Sequence, residues 1–262
     1  MTDQLSKNDF FVRTPFLHVP EWVPVAKWVR VKSGNAYVAD SRRVMLKRTF
    51  PPVYYFPRED VREKFLEKSN ENSKSDEWGK RIYYHVKTDS KTAENAAWSY
   101  ENPTEQAPAD LENFFAFEWK AMDTWLEEDE EVRVHPRDPY HRIDVCNSSR
   151  HVRIVASGET IAESHRPVLL FETGLPVRFY IPKTDVRMDL LVPSDYQSHC
   201  PYKGTASYYS IKADGDKVKN MVWTYPFPNA EVSKIKDLVA FYTENLDDVF
   251  IDGKQLPKMK TE

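Results

Sequence analysis

The sequence predicts a mainly β protein with two tandem homologous domains, each a small antiparallel β-sandwich or open barrel with few short helices. Short apolar runs are separated by turn signals roughly every 8–12 residues, a spacing typical of all-β domains. No helical stretch between these runs is long enough for the crossover connections of a parallel sheet. The chain also contains one ordered set of motifs twice, which indicates a duplicated domain.

The repeated motifs keep their order and nearly their spacing. They pair VADSRR at 38–43 with IAESHR at 161–166, YFPREDVR at 55–62 with YIPKTDVR at 180–187, and WSYENP at 98–103 with WTYPFP at 223–228. We therefore predict an N-terminal extension over residues 1–27, a first domain over 28–145 and a second domain over 150–256. Each domain is near the usual size of about 100–150 residues.

The first domain should begin with a hairpin that turns at Ser33-Gly34-Asn35. Helical spacing follows at 60–66, with Asp60 in a suitable place for an N-cap. The polar stretch 67–80 is typical of a mobile loop. The predicted strands of this domain are 28–31, 37–40, 44–46, 53–56 and 82–86.

The second domain should contain the same kind of short strands. Its turn at Asp214-Gly215-Asp216 should join two of them, and one helical turn is expected at 231–235. The predicted strands are 152–155, 160–162, 168–171, 177–180, 206–211, 221–225, 238–242 and 248–251.

Composition limits the classes of function. The 262 residues carry a net charge of −4, which argues against binding a nucleic acid backbone. No apolar run is long enough to span a membrane, and the first residues lack the apolar core of a signal peptide, so we expect a soluble, cytoplasmic protein. Cys146 and Cys200 make no disulfide framework or CxxC pair, and we expect neither a metal nor a cofactor. The oligomeric state stays open.

The densest cluster of reactive residues is the segment 198–209, SHCPYKGTASYY. Its proline and glycine fix a bend that carries Cys200 and Lys203, and a nearby ammonium favours the thiolate. We predict these two as catalytic residues, the alternative being a structural loop with a buried, inert cysteine. Lys203 should be solvated, so that Lys203→Met leaves stability nearly unchanged. The first domain should lack this loop and any equivalent polar pocket.

Four further residues are predicted to contact a ligand: Arg153, Tyr180, Tyr208 and Trp223. The repeat offers alternatives for some of them. Trp223 has the counterpart Trp98, which favours a core role, and Arg153 could pair with Glu163 across a hairpin. The recurring Asp185 and Arg187 favour a structural cap or ion pair.

The second half resembles the domain-of-unknown-function family DUF427. The resemblance rests on YIPKTDVR at 180–187, CPYKG at 200–204, the spaced Trp223, Tyr225 and Pro228, and VAFY at 239–242. It covers essentially all of 152–256 and, more weakly, the first domain. It implies a small β fold similar to the β-tent. The family is sometimes labelled a nucleotidyltransferase, although this chain has no GxxxxGK[ST] loop and no paired acidic motif.

Three hypotheses about function follow. The first is a small-molecule pocket in the second domain, which binds or transforms an anionic or carbonyl-bearing metabolite, with Lys203 holding the ligand and Trp223 stacking on it. The second is a non-catalytic scaffold that presents a surface to a protein partner. The third is the nucleotidyltransferase that the family label implies.

Overall fold

The computed structural model describes residues 20–70, 74–212 and 217–257, which divide between Pro139 and Tyr140 into two compact units. We call them the first and second domains and describe each by itself. Most of the predicted extension, residues 1–19, and the predicted turn at 214–216 lie outside the described residues. Among those described, no helix is long and apolar enough to cross a membrane.

The first domain contains twelve strands in its described part. They are β1 (Trp22–Pro24), β2 (Val29–Ser33), β3 (Ala36–Ser41), β4 (Met45–Lys47), β5 (Val53–Pro57), β6 (Leu66–Lys68), β7 (Ser75–Asp76), β8 (Gly79–Lys87), β9 (Thr92–Glu101), β10 (Phe114–Phe117), β11 (Thr124–Glu127) and β12 (Glu130–Glu131).

The second domain adds eleven strands within its described residues. They are β13 (Ile143–Asn147), β14 (Val152–Ala156), β15 (Glu159–Ser164), β16 (Val168–Glu172), β17 (Arg178–Tyr180), β18 (Leu191–Cys200), β19 (Gly204–Lys212), β20 (Lys217–Thr224), β21 (Val239–Phe241), β22 (Asp248–Ile251) and β23 (Lys254–Gln255).

The strand order confirms the duplication. In the first domain a large sheet has the order β1-β4-β5-β10-β9-β8-β6, with β7 also on β8, and a small sheet has the order β12-β11-β2-β3. The second domain repeats the order of the large sheet in two parts, β13-β16-β17 and β21-β20-β19-β18. The two parts are joined where Ile181 and Val239 exchange backbone hydrogen bonds. The order β23-β22-β14-β15 repeats the small sheet. Trp98 and Trp223 occupy equivalent positions, opposite Ala116 and Ala240.

Each domain is an antiparallel two-layer sandwich, so the predicted fold class is confirmed. Residues that alternate along a strand point to opposite faces of the sheet. In the first domain Phe56 therefore packs in the core between the two sheets, whereas Tyr55 faces the other side of the large sheet. In the second domain Phe179 likewise packs in the core between the sheets, and Tyr180 faces the other side of the large sheet. The large sheet thus buries both of its faces, and the outer face is rich in aromatic residues.

The helices are all short 3-10 turns within the described residues. The helix predicted at 60–66 is wrong, because two such turns occupy this region and Asp60 caps neither of them. Asp60 instead accepts hydrogen bonds from Ser41 and Arg43, as Asp185 does from Ser164 and Arg166. The turns lie at Arg58–Asp60, Glu63–Phe65, Leu111–Asn113, Trp119–Ala121, Lys183–Asp185, Met188–Leu190, Ala230–Ile235 and Thr243–Asn245.

Two further predictions need correction. The segment 67–80 was expected to be a loop, but it contains the end of β6, all of β7 and the start of β8. The domain limits also differ, because β1 lies within the predicted extension yet pairs with β4. Similarly, β13 begins within the predicted first domain but pairs with β16 of the second. Both are short edge strands next to proline-rich or polar segments. Their alternation of apolar and polar residues is therefore too brief to recognise in the sequence.

A glycine with positive φ begins the equivalent strands β8 and β19. Gly204 has a φ of 102°, and a Cβ there would lie 3.0 Å from the backbone oxygen of Phe227. We expect Gly204→Ala to lower the free energy of unfolding by about 1–3 kcal/mol, through backbone strain together with this contact. Urea unfolding of the full chain measures the change.

Gly158→Ala is the matched control. Gly158 also has a positive φ, 75°, but a Cβ there would meet nothing within 4 Å. We expect it to cost about 1 kcal/mol, from strain alone. Equal losses in the two variants would contradict the role given to the close contact.

Candidate functional site

The predicted bend is a hairpin turn between β18 and β19. Cys200 ends β18 opposite Gly204, and residues 201–203 form the turn. Asn229 holds it from a neighbouring segment, since its side chain donates to the Pro201 carbonyl (2.9 Å) and its backbone N–H donates to the Lys203 carbonyl (3.1 Å). The turn that carries Lys203 is therefore fixed at both ends.

Lys203 is paired with a buried carboxylate that sequence reasoning missed. Its ammonium donates to Oε2 of Glu172, whose side chain is only 4% exposed. His141 hydrogen-bonds through Nε2 to Oε1 of the same group (3.0 Å), and its ring stacks on Tyr202. Burial alone would raise the pKa of Glu172, but the His141 hydrogen bond and the Lys203 charge outweigh it and lower that pKa. Glu172 is therefore held as a carboxylate.

The signal for Glu172 was weak but present. It is a charged residue that ends the apolar run of β16, and it shares a sheet face with Val168 and Leu170. Both of these belong to the aromatic cluster on the outer face of the large sheet. His141 has no comparable sequence signal, because it lies outside the strands and meets Glu172 only through the fold.

We use the name aromatic face for the outer-face cluster of the second domain, whose rings are Tyr180, Tyr208, Trp223, Tyr225 and Tyr242. Its members contact one another through polar groups as well as rings. The Trp223 indole N–H donates to the Tyr180 hydroxyl (3.2 Å), and the hydroxyls of Tyr208 and Ser198 are 2.8 Å apart. Burial raises the pKa values of Tyr180 and Tyr225, so both phenols stay neutral and can donate hydrogen bonds.

A second buried ion pair borders the aromatic face. Arg178 donates two hydrogen bonds to Glu244 (2.6 and 2.8 Å), and both side chains are largely buried. The guanidinium carbon lies 5.5 Å from the ring centroid of Trp223 and 5.6 Å from that of Tyr242, within cation–π range.

The structure groups most, but not all, of the predicted site residues. Tyr180, Tyr208 and Trp223 belong to the aromatic face, and Lys203 bonds to Glu172 beside it. Cys200 is half-buried on β18 and shares a strand face with Ser198, which contacts Tyr208. Arg153 lies elsewhere, in the small sheet, where it pairs across strands with Glu163 and packs on the Phe250 ring.

The first domain does have a turn at the equivalent place, contrary to prediction. Asp76 pairs with Gly79 there, and the turn carries Glu77 and Trp78. Glu77 bonds to Lys47, which is almost fully buried on β4 at the position equivalent to Leu170, two residues before Glu172. Each domain thus buries an ion pair under its turn, with the carboxylate on the sheet in the second domain and on the turn in the first.

Two tryptophans fill the outer face of the first domain. Trp22 lies opposite Lys47 on β1, and its counterpart on β13 is Val145, which lies opposite Leu170. The Trp22 ring is 5.0 Å from that of Tyr55 and 5.4 Å from that of Trp78. The second domain therefore has Val145 where the first has Trp22, and Lys203 where the first has Trp78.

A polar groove also lies in the first domain. It has a volume of about 740 Å³, and its lining includes Tyr84, Ser99, Glu101, Thr104 and Glu112. Its lining includes no residue of the turn at 76–78, so the prediction that the first domain lacks a pocket equivalent to that of Cys200 and Lys203 stays a prediction.

Of two comparisons with known proteins, one finds a match. A family model described as a domain of unknown function, DUF427, matches residues 21–128 and again 144–252. No curated protein matches the chain. Within the three described ranges, no group of three or more His, Cys, Asp or Glu side chains could hold a metal ion.

The Glu172 contact changes the expected effect of replacing Lys203. Lys203 is not solvated, since its side chain is 12% exposed, and its loss leaves a buried carboxylate without its cation. We expect Lys203→Met to destabilise the protein by about 3 kcal/mol, near the lower end of the range for broken buried pairs. Urea unfolding of the full chain measures this loss.

Two further variants test the cause. Adding Glu172→Leu to Lys203→Met removes both charges and should recover most of the loss, because an apolar pair can replace a buried ion pair. Lys236→Met, at an exposed lysine, should change stability by less than about 0.5 kcal/mol. A double variant as unstable as Lys203→Met would show that the ion pair is not the reason.

Proposed function

The chain belongs to the DUF427 family, of which it carries two copies, and from this premise we propose that its second domain binds a small molecule. The ligand would present a carbonyl or carboxylate oxygen on a flat, apolar body. Its body would lie on the aromatic face, against Trp223, Tyr180 and Tyr208. Its oxygen would be held at the turn that carries Lys203.

The observation that carries this proposal is that two large side chains of the first domain are replaced by smaller ones in the second. The aromatic residues of the outer face recur in both domains, but the tryptophans that cover them in the first domain do not. Val145 and Lys203 are both smaller than the Trp22 and Trp78 that they replace. We expect this difference to leave room beside Tyr180 and Tyr225, where the first domain has indole rings.

The partners of one tyrosine support the same site. In the first domain the Tyr100 hydroxyl donates to Asp76 (2.6 Å) and accepts from Arg81 (3.1 Å). Its counterpart Tyr225 is 5% exposed and makes no side-chain hydrogen bond to any residue in the described part of the chain. Buried polar groups are usually satisfied, so this hydroxyl is a candidate donor to a ligand.

The roles of the remaining site residues follow from their positions. Lys203 keeps two N–H donors beyond the one it gives to Glu172. Cys200 would lie at the rim, where its thiol could contact a bound molecule. Arg153 is not part of this proposed site, because its guanidinium packs on Phe250 in the small sheet.

Filling the space should abolish binding. We expect Val145→Trp, which copies Trp22 of the first domain, to remove the binding of benzamide and benzoate as probes. The ring would occupy the place of the ligand while the Lys203–Glu172 pair stays intact. Saturation-transfer NMR on the full chain measures probe binding, and the melting temperature checks the fold.

Cys146→Trp provides the control on the same strand. Cys146 is exposed, so a ring there should leave probe binding unchanged. Binding that survives in Val145→Trp, or that is absent from the unsubstituted protein for both probes, would contradict the proposal and favour a scaffold role.

The two cysteines supply an independent test of ligand position. Cys200 is half-buried and Cys146 exposed, so iodoacetamide should label Cys146 faster in the free protein. A saturating probe should slow the labelling of Cys200 further and leave Cys146 unaffected. Peptide mass spectrometry measures both rates, and equal protection of both thiols, or of neither, would argue against a ligand beside Cys200.

A further inference from the structure

The charges around the aromatic face are balanced before any ligand arrives. Lys203 is bonded to Glu172, and Arg178 is bonded to Glu244, so each cation already has a carboxylate. All four of these side chains are largely buried. His141 completes the first pair through its hydrogen bond to Glu172.

An anionic ligand would disturb this balance. Its charge would enter a largely buried site where both cations are engaged, and burying a charge without its own partner is costly. A neutral ligand would bring no charge and would lose less hydration on entering. The balance therefore separates the two ligand classes that the proposed function leaves open.

The available donors also suit a neutral oxygen. Tyr225 is only 5% exposed and its hydroxyl makes no hydrogen bond to a side chain in the described ranges, and Lys203 has two N–H groups beyond its bond to Glu172. A carbonyl oxygen has two lone pairs and can accept from both groups at once. The flat rings of Trp223 and Tyr180 suit the planar group around such a carbonyl.

We infer that the ligand of the second domain is a neutral carbonyl compound with a flat apolar body, such as an aryl amide or ketone, and that anions are rejected. This inference rests on the proposed function, since it concerns the same site. Glu172 is then the residue that determines specificity, because it cancels the charge of Lys203.

Benzamide and benzoate form a matched pair of probes, with similar shape and different charge. The affinities are measured by titration at about pH 8, where a free imidazole is neutral. We expect the unsubstituted protein to bind benzamide at least about tenfold more tightly than benzoate. Tyr225→Phe should weaken benzamide binding by about three- to tenfold, as expected for one lost hydrogen bond.

Glu172→Gln should reverse the preference. The amide keeps the shape of the side chain but leaves the Lys203 charge uncompensated, so benzoate should become the better ligand. The double variant Glu172→Gln, Lys203→Gln removes both charges and should prefer benzamide again. This variant keeps the test decisive if Glu172→Gln alone fails to fold.

The outcomes separate this inference from the proposed function. If benzoate binds the unsubstituted protein as tightly as benzamide, and Val145→Trp abolishes both, the site stands and the neutral-ligand assignment is overturned. An unchanged preference in a folded Glu172→Gln variant also overturns it. Failure of both probes to bind overturns the site and the assignment together.

Discussion

Each large sheet has two apolar faces, and both of them must be buried. The small sheet can cover only one, so the outer face depends on an edge strand, a hairpin turn and the segment around 226–238 in the second domain. Such covers are irregular and can change without disturbing the sandwich core. This explains why the two copies agree at Tyr55 and Tyr180, within the sheet, but differ at the residues that lie over them.

The buried ion pair connects the sheet to its cover. Glu172 ends β16, and Lys203 reaches it from a turn that Asn229 fixes on the other side. With His141, which bonds to the other oxygen of Glu172, three separate parts of the chain meet at one carboxylate. Loss of either charge would loosen the turn as well as leave the other charge buried, which ties the shape of the proposed site to the stability of the domain.

The sequence contained enough information for the fold but only for part of the site. The repeat and the short, regularly spaced strands predicted two sandwiches, and Tyr180, Tyr208 and Trp223 were predicted to contact a ligand. The spacing around Asp60 suggested a helix, yet Ser41 and Arg43 hold its carboxylate in a turn. Glu172 and His141 were missed because the contacts of Glu172 with His141 and Lys203 each join residues 31 positions apart, and a single sequence carries no sign of such pairs.

The reversed ion pair has a consequence for how a duplicated chain assembles. Two domains with the same strand order could exchange equivalent segments while they fold, and such exchange is a characteristic failure of repeat proteins. If the turn of one copy docked on the sheet of the other, Lys203 would face the sheet that carries the buried Lys47, and Glu77 would face the sheet that carries the buried Glu172. Like charges would then be buried together, so each turn is electrostatically matched to the sheet of its own domain.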